Sequence, residues 1–380
     1  MTRVAELKNR WATDQLVTGV EFDQWMEVLK AGQWNVSADY AHRLASITGL
    51  SLATSALGRL DDMRYGRQIA QMEIKPTPLF ILGHWRSGTT HMHDLLGRDP
   101  NHTFTDVFQV IFPTAFLSSR AVGTRLLANA LPKKRSYDNM RMGWGEPAED
   151  EIALLKLHGM SFYGALMFPD AASKYEKYID FLECTEAERN RWKQTFEWFI
   201  KKVMIQSGGK RVIVKSCPHS ARIRMILDLF PDAKFVHIHR HPYNVFASMM
   251  HMRGKVDWEN FLQRPDESFI SGRAEHTATI GNRLFTRLIE DRELIPKENL
   301  IEVGFEDFTA GNQLQYLEQI YTQFNLPDWD RYRASIKPYL DSLKGYRTNK
   351  LDIDQEMMDF VWDRWRIVFD TYGYKRELNQ

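Results

Sequence analysis

Cysteine is scarce in this chain. Cys184 and Cys217 are its only two in 380 residues, too few for a disulfide framework and suited to a reducing compartment. Long apolar runs are missing as well. The least polar stretch, Leu44 to Leu57, is too short and too rich in serine and threonine to span a bilayer. The first ten residues lack the apolar centre of a signal peptide. Together these absences predict a soluble cytoplasmic protein without a transmembrane segment. No charge excess is present: 50 Lys and Arg stand against 49 Asp and Glu, with both signs mixed along the chain. That balance argues against nucleic acid or another polyanion as a partner of the whole surface. No metal constellation stands out. His91 and His93 are two apart and would point different ways from a helix. Repeats and low-complexity segments are also missing, and oligomeric state is not encoded in any feature of the sequence.

What is present is concentrated in two stretches. Pro78-Leu79-Phe80-Ile81-Leu82 is an apolar run with strand character, and it stops at Gly83. His84-Trp85-Arg86-Ser87 leads to Gly88, then to Thr89 and Thr90, and Met92 to Leu96 reads as a helix. Strand, glycine-bounded loop and helix N-terminus make an anion site, because backbone N–H groups converge there and the helix dipole favours negative charge. The spacing of Gly83 and Gly88 matches the nucleotide phosphate loop, but Thr89 stands where its lysine belongs. The cation has moved to Arg86, inside the loop. A nucleotide kinase would need that lysine and a magnesium-holding carboxylate, so Thr89 speaks against one.

The second stretch is Lys234 to Arg240, strand-like and ending in a cation. His241 and Pro242 follow, and Asn244 to Met250 looks helical with the proline near its first turn. Ser248 lies eight residues after Arg240. Arg211 to Ser216 and Phe235 to His239 read as buried strands, and residues 101 to 200 as mostly helical. Short β-branched runs separated by helical segments predict a three-layer α/β fold around a parallel sheet. Ligand then belongs at the carboxyl ends of the strands, where Arg86 and Arg240 fall. Residues 1–75 look helical, with Trp11, Phe22, Trp25, Met26 and Leu29 near helical spacing. They are expected to form an N-terminal extension to a domain over 76–380. The aromatic, charged tail from Met357 to Tyr372 is expected to be a helix that covers the site.

At these residues the chain resembles the PAPS-dependent sulfotransferases, in particular the bacterial branch with R-S-G-T-T in its first motif. Arg86-Ser87-Gly88-Thr89-Thr90 matches the 5′-phosphosulfate loop. Arg240, Pro242 and Ser248 match the family's second motif, R-x-P with a serine eight residues after the arginine. Leu300 to Phe308 looks like the later V-x-Y-E-D-L strand, with Phe305 in place of the tyrosine. The resemblance covers residues 76 to 330. It implies transfer of a sulfuryl group from 3′-phosphoadenosine 5′-phosphosulfate (PAPS) to a hydroxyl, without a metal. Arg86 through His91, Arg240, Ser248 and Phe305 become the cofactor residues, with His91 where the family often has an aromatic that stacks on adenine.

Sulfuryl transfer needs a cation for the leaving oxygen and a base for the acceptor. Arg86 holds the first position by motif. Lys215 is a second cation, since Lys215-Ser216-Cys217-Pro218-His219 ends a strand and resembles a catalytic segment of the family. Cys217 occupies the slot of that segment's histidine, and His219 is preferred as its replacement because an imidazole accepts a proton near neutrality. Its rivals are Asp150 and Glu151 in the acidic run from Glu146, which a solvated helix N-terminus explains nearly as well. Asp106 is a third choice. A non-catalytic adenine-nucleotide module is the alternative if no base works. Phe104, Phe108, Phe112 and Phe116, followed by Met140, Met142, Met160 and Met167, suggest an apolar or lipid-like acceptor, though the same residues would serve as plain core. Lys133-Lys134-Arg135 reads as a solvated loop rather than a binding patch.

Overall fold

The computed structural model describes residues 15–132, 134–135, 141–343 and 353–377; Trp11, Lys133 and Met140 lie outside them. The chain forms two compact units, each drawn from three stretches. One takes residues up to Ile74, Thr105–Gly209 and His251–Arg273. The other takes Lys75–Phe104, Lys210–Met250 and everything from Ala274 on.

The second unit is built on a five-stranded sheet: β1 (Leu79–Leu82), β2 (His102–Phe104), β3 (Arg211–Lys215), β4 (Lys234–His239) and β5 (Leu300–Gly304). Strand order is β2-β3-β1-β4-β5, and every pair is parallel. β1 sits in the centre, and all four of its residues are buried. A strand covered on both faces has no solvent side, which is why its sequence runs apolar without alternation. β5, at an edge, alternates: Ile301 and Val303 are buried while Glu302 points outward. On one face Leu79, Ile81, Val236 and Ile238 pack on Met92, Leu95 and Leu96 of the Thr89–Gly97 helix and on Leu317, Tyr321 and Ile336 of two later helices. On the other face Phe80 stacks on Phe235 at 5.6 Å and lies beside Phe230 at 6.1 Å. Helix, sheet and helix make the three layers expected from the sequence.

β2 was not expected. Its three residues fall inside a region that reads as helical and carry no period of their own; pairing with β3, His102 opposite Arg211, recruits them as an edge. The C-terminal tail also differs from the single helix predicted. It forms two helices, Gln355–Arg364 and Arg366–Tyr372, broken at Trp365. That side chain is fully buried and its indole N–H donates to the Ala278 carbonyl at 2.9 Å. Anchoring so large a ring decides where the helix bends.

The first unit is helical. Its long members are Ala41–Gln71 and Glu186–Ser207, with Phe22–Ala31, Phe116–Leu126 and Asp150–His158 beside them. Val20, Trp25, Leu29, Ile47, Leu155 and Phe168 share one core. A buried ion pair lies in this unit: Lys202 Nζ is 3.1 Å from Asp61, and both side chains are fully buried. Lys202 also donates to the carbonyls of Pro113 and Thr114, while Asp61 accepts from the N–H groups of Leu117 and Ser118. No described helix in either unit is long and apolar enough to cross a membrane.

Candidate active site

The loop after β1 is shaped by three left-handed residues, Gly83 (φ 148), Arg86 (φ 69) and Gly88 (φ 105). Gly88 cannot be anything larger. A Cβ there would come within 2.3 Å of the Phe305 ring. Its conformation ends the loop and starts the Thr89–Gly97 helix, so the free N–H groups of the first turn face the loop. Two hydroxyls brace the turn. Ser87 Oγ donates to the His84 carbonyl at 2.7 Å, and the Gly83 N–H donates to Ser220 Oγ at 2.8 Å. Lys215, at the carboxyl end of β3, donates from Nζ to Thr90 Oγ1 at 3.3 Å. Thr89 Oγ1 lies 3.8 Å from the Cys217 sulfur.

The second motif joins the first. Arg86 Nε donates to Ser248 Oγ at 2.9 Å, and Arg240 Nη1 donates to the Arg86 carbonyl at 3.0 Å. Arg240 lies over the Phe305 ring, 4.5 Å from its centre. Burial lowers the Arg240 guanidinium from its ordinary value; Glu306 opposes this and Arg86 adds to it. Pro242 opens the following helix, as its position suggested. The turn is held from behind. Glu306 accepts from the His241 N–H at 3.0 Å and from the Tyr374 hydroxyl at 3.3 Å, and that hydroxyl lies 2.7 Å from His239 Nδ1. Arg86, Arg240 and Lys215 thus place three cations around one helix N-terminus, the electrostatics of a site for a polyanionic ligand.

The other sequence candidates fall as follows. His91 sits edge-on to Phe308 at 5.6 Å, and burial lowers its pKa. His219 is fully buried, edge-on to Phe80 at 6.0 Å. Asp150 and Glu151 open the Asp150–His158 helix of the first unit; both are fully buried, and Glu151 accepts from Ser161 Oγ at 2.6 Å. Asp106 caps the Val107–Ile111 helix and pairs with Arg120 at 2.6 Å. The phenylalanine stripe is not one face. Phe104 lies on β2, whereas Phe108, Phe112 and Phe116 are buried in the first unit against Trp144 and Phe199. Lys134 is exposed and Arg135 reaches the Pro147 carbonyl.

Sequence reasoning missed Ser220, Glu306 and Tyr374. Ser220 and Tyr374 lie outside the quoted motifs, and nothing in the spacing links them to Gly83 or Arg240. Glu306 belongs to a quoted stretch, but its partner is a backbone N–H that only the fold brings near. Phe305 drew notice for the hydroxyl it lacks; its role as a platform under Arg240 and a wall behind Gly88 appears only in three dimensions.

Among solved structures the fold is similar to a sulfotransferase, STF9, of Mycobacterium avium (TM-score 0.72, 15% identity, 98% of this chain and 96% of that one). It is also similar to the sulfotransferase STF1 of Mycobacterium tuberculosis (TM-score 0.62, 18% identity, 96% of this chain and 98% of that one). In sequence it is 32% identical to an omega-hydroxy-beta-dihydromenaquinone-9 sulfotransferase of Mycobacterium bovis, over 96% of this chain and 92% of that protein. The same identity and coverage hold for the protein of that name in Mycobacterium tuberculosis. Residues 78–331, which carry the loop, both arginines and the sheet, match the pattern of one family. The chain belongs to the sulfotransferase family.

Proposed function

We propose that the protein transfers the sulfuryl group of PAPS to the hydroxyl of an apolar or amphipathic acceptor. One observation carries the reading: the hydrogen bond from Arg86 to Ser248, with Arg240 on the Arg86 carbonyl. It ties the loop suited to a phosphosulfate to the helix start suited to a separate 3′-phosphate. A donor with anions at both ends fits that set of groups. PAPS would supply an activated sulfuryl group there. The loop amides of Ser87 to Thr90 would hold its sulfated end, Arg240 and Ser248 its 3′-phosphate, and Phe305 and His91 would flank its adenine. Arg86 and Lys215 would stabilise charge growing on the leaving oxygen, and a fixed cation does this without reorganisation. His219 is proposed as the base, tested against Glu151 and Asp150. All three are buried, so exposure does not choose among them. Residues 76–380 are proposed as the transferase proper, with 1–75 as a helical extension. The relatives at 32% identity are named for a hydroxylated menaquinone derivative, which supports a lipid-like alcohol as acceptor.

The test is incubation with PAPS and a panel of alcohols, phenols, sterols and prenyl lipids, read by mass spectrometry for an added sulfate. Sulfation of an apolar alcohol is the expected result. Sulfation of anionic or polyhydroxylated saccharides alone would remove the acceptor reading and leave the donor. Calorimetry should show adenosine 3′,5′-bisphosphate binding well above ADP or ATP. Magnesium-dependent ATP binding of equal strength would remove the donor as well.

A further inference from the structure

The Ala41–Gln71 helix has 31 residues and a misplaced pattern. One face is buried, through Arg43, Ile47, Ser51, Thr54, Gly58, Asp61 and Ile69. The opposite face should be polar in a water-bathed helix. Instead Ala45, Gly49, Leu52, Ala56 and Met63 recur there at spacings of three, four and seven, and all are exposed. Leu52 is 56% exposed and Met63 85%. Leu57, at the flank, brings to three the large apolar side chains this helix exposes, out of eight among the described residues. The stripe from Ala45 to Met63 is roughly 27 Å long at the helical rise. It overlaps the stretch from Leu44 to Leu57, too short to span a bilayer but long enough to lie on one.

Charge on the same face has one sign. Arg59, Arg64 and Arg67 are exposed, and none has an acidic partner among the described residues. Against them stands a single exposed acid of the helix, Asp62. A second copy of this face would offer those arginines no negative partner. An anionic lipid surface offers both what the arginines lack and an apolar layer for Leu52 and Met63.

We propose that the outer face of the Ala41–Gln71 helix docks on an anionic membrane surface, with Leu52, Ala56 and Met63 entering the headgroup boundary and Arg59, Arg64 and Arg67 meeting lipid phosphates. The arrangement is that of an interfacial helix, an apolar stripe edged by arginine. Its use rests on the reading of a lipid-like acceptor, since an enzyme that takes a bilayer-dissolved alcohol must meet it at the interface. The binding itself needs no acceptor.

Flotation of the full-length protein with acceptor-free vesicles tests this directly. Vesicles of phosphatidylcholine with one part in four phosphatidylglycerol should carry the protein to the top of the gradient, and pure phosphatidylcholine should carry far less. Raising salt from about 0.1 M to about 0.5 M should weaken the binding, because the Debye length shrinks. The triple variant R59Q/R64Q/R67Q should lose on the order of 100-fold in partitioning. The variant L52E/M63E should lose about tenfold or more even at low salt. Both should keep wild-type melting temperature and affinity for adenosine 3′,5′-bisphosphate, since these side chains are exposed. Wild-type protein that ignores anionic vesicles, or variants that float like wild type, would overturn the proposal. So would a wild-type dimer that L52E/M63E dissociates in sedimentation without any vesicle binding, which would assign the face to a second copy. Protein that floats but sulfates no apolar alcohol would sink the acceptor reading alone.

Discussion

Arg86 and Ser248 are 162 residues apart in sequence and share a hydrogen bond of 2.9 Å. The bond fixes an arginine whose backbone is already left-handed, at φ 69. It also makes Ser248 orient a cation, beside the anion contact proposed for it. Ser248→Ala should therefore weaken adenosine 3′,5′-bisphosphate binding and lower turnover together, by roughly 1.5–3 kcal/mol for a hydrogen bond to a charged group. On the leaving-group role proposed for it, Arg86→Ala should lose more in turnover than in affinity, because such charge grows in the transition state. Arg240→Ala should lose chiefly affinity. Calorimetry beside single-turnover rates separates the three, and near-normal turnover in Arg86→Ala would pass the leaving-group role to Lys215.

Gly88→Ala should disable the loop. The position has φ 105, and an added Cβ would meet Phe305 at 2.3 Å. Backbone strain of about 1–3 kcal/mol adds to that clash. Combining it with Phe305→Ala should recover part of the melting temperature but not the nucleotide affinity, because the ring under Arg240 is then gone. Full recovery of affinity in the double variant would show that Phe305 does not matter to Arg240.

The base is decided by rates. His219→Ala should cost on the order of 10²–10⁴ in turnover with nucleotide affinity little changed. Glu151→Gln and Asp150→Asn should be milder. A dead Glu151→Gln enzyme beside an active His219→Ala enzyme would move the base to the carboxylates and leave His219 as core beside Phe80.

Asp61 and Lys202 should dominate the stability of the helical unit. Asp61→Ala strands a fully buried ammonium and should destabilise by about 3–5 kcal/mol. Lys202→Met, made on top of it, should cost less than the same change made alone. Thermal unfolding of the two single variants and the double variant measures that coupling, and additive losses would mean the pair is not a unit. A chain starting at residue 76 lacks Asp61 and Arg43, whose guanidinium serves the carbonyls of Phe261 and Trp258, and should not fold well.

Acid should destabilise the sheet unit before it titrates carboxylates. Burial holds His84, stacked on Phe285 at 4.8 Å, down to about 4, and His239 is also pushed to about 4 by burial and by His237. In the unfolded chain both return to their ordinary value near 6.5. Between those limits the unfolded state binds more protons, so stability is complete above about pH 6.5 and drains away toward pH 4. For His84 the loss is up to about 3 kcal/mol. His84→Phe should flatten the fall of melting temperature between those pH values, whatever its stability at neutrality; an unchanged slope would exclude His84 as the source.

The sequence alone determined the chemistry-bearing loop. Gly83, Arg86, Gly88 and the threonines announce a strand–loop–helix turn, the shape proposed here to hold an anion, because only glycine tolerates such turns freely and because helix starts carry free N–H groups. It also determined β1, β3 and β4, since short apolar runs between helical segments have few other uses; β5 was legible only through the likeness of Leu300 to Phe308 to the family's later strand. The structure alone decided what faces what. β2 exists because an edge of β3 was open, Phe305 matters because Arg240 and Gly88 both lean on it, and the phenylalanine stripe divides between a strand and a helical core. Pattern along a chain reports each residue's own preference for water or for backbone shape. A hydrogen bond between Arg86 and Ser248, or a ring beneath Arg240, depends on where separate elements meet, and that is settled only when the whole core packs.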